Sequence, residues 1–375
     1  MKIAILLQDT RALYGAEQAT LRLAEGLASA GIAVRAVLLR ETRLGAGPSP
    51  LAEAFRRRMP VEEIPVAGRF SRSAVAAIRA FMERERIDVL HSTGYKADWH
   101  AGLASDWGER FPVVSTVHGW LFRWELKERL FQALNVRMLR RFSRVVALSG
   151  FYERHLRRCG LNPLQIARIP TGVRAEEIAS RAEARRLWED PGAVWTFGLL
   201  GRLSSEKNHA LLLRAAARLA RDLDGSPRSW RILIAGDGPL RRELKRKIAR
   251  MGLADRVALA GWMEAGEFFR QVHVLVQCSR VENQPLSVME AMAWMRPALA
   301  ARAGGLPELV RDGETGWLVS KRSARGLAAA MKECLVAPEK AHAAGLRARD
   351  VLEREYSFGR MIEDHAGMYA AECRG

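Results

Sequence analysis

The sequence predicts an α/β protein of two Rossmann-like, doubly wound units, each a parallel sheet with helices on both faces. Three observations carry this. At 375 residues the chain is long enough for two cores. Short apolar runs alternate with longer amphipathic stretches along nearly its whole length, and strands covered on both faces read as such runs. The alternation is broken once, by the charged, helical stretch 174–192, which is poor in core residues and reads as an inter-domain connection. The expected division is therefore 1–172, a connection at 173–194, 195–355, and a last helix in 356–375.

In the first half, residues 2–8 form a strand ending in a polar turn, and Gly15-Ala16-Glu17 opens a helix to about residue 30, closed by Gly31. A strand at 33–39 follows, then a loop and short basic helix over 41–60, with Gly45, Gly47, Pro48 and Pro50 as its breakers. Strands at 61–66, 87–92, 112–117, 144–148 and 166–169 alternate with helices at 71–86, 97–107, 124–142 and 151–158. Helix 124–142, begun at Trp124, sets Leu130, Leu134 and Met138 on one stripe, with Arg137, Arg140, Arg141 and Arg144 at its end. The second half repeats the pattern, with strands at 195–200, 232–235, 256–259, 272–276, 298–300 and 316–319. Its helices span 208–223, 240–251, 264–270, 286–294, 325–335, 340–354 and 359–372.

Bulk composition narrows the class. Apolar residues make up 49% of the chain and charged ones 27%, as in ordinary globular proteins. No run approaches the roughly 18 uncharged apolar residues of a membrane span. The start, M-K-I-A-I-L-L-Q-D, reads as a first strand and not as a signal peptide, which predicts a cytoplasmic location. Cys159, Cys278, Cys334 and Cys373 are scattered singly, against a disulfide framework or a zinc site. The net charge of +18 is concentrated in arginine clusters at 56–58, 137–144, 154–158 and 241–250. It fits an anionic membrane surface or plain solvation better than nucleic acid, since no aromatic-basic interleaving or helix-turn-helix pattern accompanies it.

Chemistry concentrates in 277–319. Glu282 ends a polar turn, Pro285 stands where a first helical residue would, and Glu290 lies within the helix that follows. The helix start offers the N–H groups of Leu286 and Ser287, with the positive end of the dipole, to an anion. Two carboxylates around an anion-receptive helix start suit phosphates flanked by polyols, as in a nucleotide sugar. Glu282 and Glu290 resemble the E-x7-E element of the family 4 glycosyltransferases of GT-B fold, and A-G-G-L-P-E-L-V-R-D-G-E-T-G-W-L-V is similar to the run that follows it there.

That resemblance implies two Rossmann-like domains with a cleft between them and a last helix that crosses back to the N-terminal, acceptor-side domain. The segment 201–208, G-R-L-S-S-E-K-N, is similar to the family's G-R-L-x-x-E-K element, which implies that Arg202 and Lys207 grip the donor diphosphate. Two placed cations can stabilise a departing diphosphate without a metal, so no cofactor and no metal is expected. The D-x-D triplet, Asp222-Leu223-Asp224 before Gly225, reads as a helix end and not as a metal site. Gly15 and Ala16 stand where the family has a Gly-Gly-type loop, and either approach a phosphate or acceptor or make a plain turn. His118 matches the histidine that approaches the donor sugar. Glu290 is expected on the ribose, Glu282 on the sugar hydroxyls, and Asn283 and Gln284, in place of the commoner Gly-aromatic pair, against the sugar. Two further departures are Thr171 and Arg174 in a segment that is usually Asn-Gly-Val-Asp. A third is Met295 in place of a helix-terminating glycine, which predicts a different helix end, because left-handed geometry is costly for Met.

The expected activity is transfer of a sugar, with retention, from a nucleotide sugar to a hydroxyl acceptor. The acceptor expected is a lipid-linked or lipopolysaccharide- or exopolysaccharide-type glycan at the inner face of the cytoplasmic membrane, which the arginine-rich helices would touch. A 2-epimerase of sugar nucleotides would need further carboxylates that the sequence does not assign. A non-catalytic nucleotide-sugar-binding subunit would not need Arg202, Lys207, Glu282 and Glu290 together. A dinucleotide oxidoreductase lacks its G-x-G-x-x-G after the first strand.

Overall fold

The computed structural model describes residues 1–373 apart from 11–12, 45–46, 48, 69, 120–125, 191–192, 224–228 and 321. Gly45, Pro48, Trp124, Gly192, Asp224 and Gly225 thus lie outside the described residues. The chain divides into two compact units, Met1–Gly172 with Phe358–Gly375, and Val173–Ser357.

In the first unit, strands β1 (Lys2–Gln8), β2 (Ala33–Glu41), β3 (Val61–Val66), β4 (Val89–Thr93), β5 (Val113–Val117), β6 (Arg144–Ala147) and β7 (Ile166–Arg168) form a sheet of order β3-β2-β1-β4-β5-β6-β7. Every pairing in it is parallel. The order reverses beside β1, so the crossover that hosts ligands in such sheets lies between the carboxyl ends of β1 and β4. Helix starts follow from sequence: Ser71 and Ser149 accept hydrogen bonds from the N–H groups of Ala74 and Tyr152 as N-caps. The C-terminal helix, Phe358–Glu372, buries Phe358, Met361, Ile362 and Tyr369 in this unit's core. It lies so close to Gly26 that a Cβ there would overlap Ile362 and Phe358.

The second unit pairs β8 (Trp195–Leu200), β9 (Trp230–Ala235), β10 (Val257–Gly261), β11 (Val274–Gln277), β12 (Ala298–Ala301) and β13 (Gly316–Val319) in the order β10-β9-β8-β11-β12-β13, again parallel. Its crossover lies between β8 and β11. Residues 173–190 pack as part of this unit. Ala175, Ala179 and Ala184 are in its core, and the buried Arg349 guanidinium joins them through the Ala179 carbonyl at 2.8 Å and Glu176 at 2.6 Å. Small apolar residues spaced through a charged segment carried that packing, which charge content alone conceals.

Three local expectations are corrected. The Tyr95–Ala104 helix stops before 107, because Asp106 and Trp107 take positive φ of 49° and 67°. In the Leu126–Leu139 helix the buried residues, among those whose side chains are described, are Asn135, Met138 and Leu139, whereas Leu130 is 59% exposed. The stripe is thus rotated from the one read from spacing. Met295 does adopt the left-handed conformation, φ 55°, that its side chain disfavours. That costs about 1–2 kcal/mol, offset by full burial of Met295 and by the Trp188 indole N–H donating to its carbonyl at 3.2 Å.

Candidate active site

At the crossover of the second unit, β8 runs into the turn 201–208 and β11 into the turn 278–285. Lys207 sits in a short 3₁₀ turn, Ser205–Lys207, and left-handed Asn208 (φ 56°) redirects the chain into the His209–Asp222 helix. Lys207 is therefore just outside that helix and not in it. Its Nζ donates to Glu282 Oε1 at 2.6 Å. Gln277, the last residue of β11 and buried, donates from its side-chain amide to the same oxygen at 2.8 Å, while its side-chain Oε1 accepts from the Ser287 hydroxyl at 3.4 Å. The backbone laces the two turns together: the Arg280 N–H donates to the Glu206 carbonyl at 2.8 Å. A third strand end joins in, since the Gly305 N–H donates to the Glu282 carbonyl at 2.9 Å. Gly304, at φ 59°, lies where a Cβ would overlap that carbonyl, so only glycine lets the β12 turn support Glu282.

The structure thus brings Lys207, Glu282 and Ser287 together with Gln277, which sequence reasoning missed. The available signal was its place, a polar residue closing an apolar strand. Arg202 is exposed in the same turn as Lys207. The Leu286–Ala293 helix starts at the expected residue, but Pro285 is its N-cap and not its first helical residue, and no side chain caps it. Leu286 and Ser287 are therefore its first two residues, Glu290 is half-buried one turn on, Asn283 is buried and Gln284 half-buried ahead of it. Asp222 ends its helix and faces Arg218 at 3.6 Å.

In the first unit, Gly15 and Ala16 open the Gly15–Ser29 helix beyond β1, again with no side-chain cap. His118 follows β5 and lines a small cavity with His91, Thr93, Thr116 and His365. Burial, with His365 nearby, pushes the His118 imidazole down to about 4, so the ring is neutral near pH 7. His91 is bound on both nitrogens, to the Tyr369 hydroxyl and to Thr116 Oγ1 at 2.8 Å. Beside the crossover, buried Lys96 donates to buried Glu41 at 2.8 Å, and Gln8 donates to the same oxygen at 2.8 Å. Burial raises the Glu41 carboxyl, but Arg43 and Lys96 outweigh it and hold the group below its ordinary value.

Of the arginines at 137–144, Arg137, Arg140 and Arg141 are exposed and Arg144 is half-buried; Arg140 donates to the Cys159 carbonyl at 3.1 Å, Arg141 covers the Trp107 ring, and Arg144 pairs with Glu372 at 2.8 Å. No described helix is long and apolar enough to cross a membrane.

A model of glycosyl transferases group 1 matches residues 195–336, and a model of glycosyltransferase family 4 matches residues 14–177. The D-inositol 3-phosphate glycosyltransferase of Acidothermus cellulolyticus is 31% identical over 332 residues, 80% of this chain and 72% of that protein. The alpha-D-kanosaminyltransferase of Streptomyces kanamyceticus is 32% identical over 200 residues, 52% of this chain and 50% of that enzyme, so the match spans half the length of that relative. Among solved structures, Anabaena HepE in complex with UDP-glucose superposes with a TM-score of 0.80 at 21% identity, covering 98% of this chain and 99% of that one.

Proposed function

Since the chain belongs to the family 4 glycosyltransferases of GT-B fold, we propose that it transfers a hexose-type sugar, with retention, from a nucleotide sugar to a hydroxyl acceptor. The observation that carries the reading is the Lys207–Glu282 pair at 2.6 Å on the β8/β11 crossover, beside a helix start that no side chain caps. A diphosphate there takes the Lys207 ammonium, the exposed Arg202 guanidinium and the amides of Leu286 and Ser287. Charge that develops on the leaving group meets donors already in place, without a metal. Glu282, kept in position by Gln277 and by the Gly305 amide, accepts hydrogen bonds from sugar hydroxyls, with Asn283 and Gln284 beside it. Glu290 accepts from the ribose. His118 is assigned to the reacting sugar on the family resemblance, and its neutral ring suits a hydrogen-bonding role.

The nucleotide donor agrees with the UDP-glucose bound by the Anabaena neighbour. The acceptor is proposed as a lipid-linked or polysaccharide-type glycan. Gly15, Ala16 and the Gln8–Glu41–Lys96 group are placed at the β1/β4 end where such a glycan would bind. A panel of nucleotide sugars, scored by thermal stabilisation and slow hydrolysis, tests the reading. One donor class should stabilise the protein and release its nucleoside diphosphate with metal chelated. Absence of stabilisation by every nucleotide sugar and every nucleoside diphosphate would refute it.

A further inference from the structure

We propose that one buried water bridges His118 to His365 of the C-terminal helix, which makes His365 a positioning residue for His118. The inference rests on the assignment of His118 to sugar transfer, but its geometry stands apart from that assignment.

His365 is 2% exposed, one turn after Met361 in the Phe358–Glu372 helix. Its Nδ1 lies 2.8 Å from the Met361 carbonyl. A carbonyl only accepts, so Nδ1 carries the proton, and the neutral ring keeps a bare lone pair on Nε2. Burial favours the neutral ring and pushes its pKa down to about 4. Among the described residues, Nε2 has no hydrogen-bond partner. His365 and His118 line the same cavity, with Thr93 and Thr116 on its wall.

Two other polar groups on that wall, His91 and Thr20, have prior engagements. His91, stacked 6.1 Å from His365, is committed to Tyr369 and Thr116. The Thr20 hydroxyl donates to the Ala16 carbonyl at 2.8 Å. What His365 needs is a donor, and the cavity volume of about 20 Å³ exceeds the roughly 10–15 Å³ that one water requires. A water donating to His365 Nε2 keeps a second hydrogen and its lone pairs for His118 and a threonine hydroxyl. That meets the two to four polar partners a buried water takes. The bridge fixes which way the His118 ring faces and which nitrogen carries its proton. The last helix of the chain then acts on a residue at the end of β5.

The test uses the full-length protein labelled with ¹⁵N at histidine. In the wild type, the His118 ring protons should show exchange-free cross-relaxation with a long-lived water, a readout that needs no substitution and no substrate. His365→Leu should shift the His118 ring nitrogens and lower kcat by about threefold to tenfold, the scale of one lost hydrogen bond, with KM for the donor little changed. His365→Gln, which returns an acceptor at similar reach, should restore both. No long-lived water near His118, or His118 nitrogen shifts unchanged in a folded His365→Leu, would overturn the proposal. If His118→Ala transfers sugar at the wild-type rate while the water signal and the shifts are present, the role of His118 in transfer fails and the bridge stands.

Discussion

At the β8/β11 crossover, the second unit sets an ammonium against a carboxylate 2.6 Å away, with an exposed guanidinium in the same turn and an uncapped helix start alongside. At the carboxyl ends of β4 and β5, next to the β1/β4 crossover, the first unit sets three neutral imidazoles around a cavity of about 20 Å³. The two sheets place different chemistry at the same kind of topological position. Partly buried charges held by backbone-laced turns can be shared with an incoming anion at little cost in rearrangement. Buried neutral rings cannot neutralise a diphosphate, but they can hold hydrogen bonds in fixed directions. The fold supplies the position, and the side chains decide whether that position handles charge or orientation.

The largest expected effect breaks the comparison at its charged end. Lys207→Ala should cut kcat by about 10²-fold or more, as loss of one preorganised donor to developing charge does elsewhere, while the protein stays folded. The pair is mostly buried, its side chains 21% and 13% exposed, so a lower melting temperature is expected beside the loss of turnover. Steady-state kinetics beside a thermal melt separate the two outcomes. Transfer near the wild-type rate would remove Lys207 from the diphosphate and with it the contrast between the sites.

A smaller effect sharpens the neutral end. His118 and His365 are pushed down to about 4 and His91 well below its ordinary value, all by burial first. In the unfolded chain these rings titrate near 6.5. Below that value the unfolded state takes up protons that the folded unit does not, so stability is complete above about pH 6.5 and falls as pH drops toward about 4. The second unit has His209, pushed down to about 4, and His342, lowered. Between about pH 7 and pH 5, protection against hydrogen exchange, corrected for the intrinsic amide rates, should therefore fall more for β4 amides than for β8 amides. An equal loss of protection in both would mean that the first unit tolerates charge on its histidines.

Much of this was legible in the sequence, and what was not has physical reasons. The apolar runs gave the strands, because strands buried on both faces cannot hide their composition. Glu282 and Lys207 were legible as separate motifs 75 residues apart, whereas their contact depends on turns whose geometry is set by Asn208, Gly304 and the Gly305 amide. Gln277 carried only its place as a signal, and a single polar residue ending a strand has many uses. Met295 misled: its left-handed backbone is intrinsically unfavourable, and only the packing of Trp188 and the 338–355 helix around it shows why the chain accepts that cost. Local propensity could not anticipate either case, because both are decided by neighbours distant in sequence.

The smallest expected effect concerns the surface. A net charge of +18 should draw the protein to anionic vesicles, each cation near the surface contributing about 1 kcal/mol. In the 137–144 cluster, however, Arg140 holds the Cys159 carbonyl, Arg141 lies over Trp107 and Arg144 pairs with Glu372, while Arg137 is exposed to solvent. Weak sedimentation with vesicles containing phosphatidylglycerol follows, abolished by salt on the order of 0.5 M, where the Debye length is only a few ångströms. Arg137→Glu should reduce pelleting further without changing turnover on a soluble acceptor. Equal pelleting with phosphatidylcholine vesicles would show that the arginine surface is a solvated one. The contrast between the two crossovers would then carry the function alone, with membrane attraction no part of it.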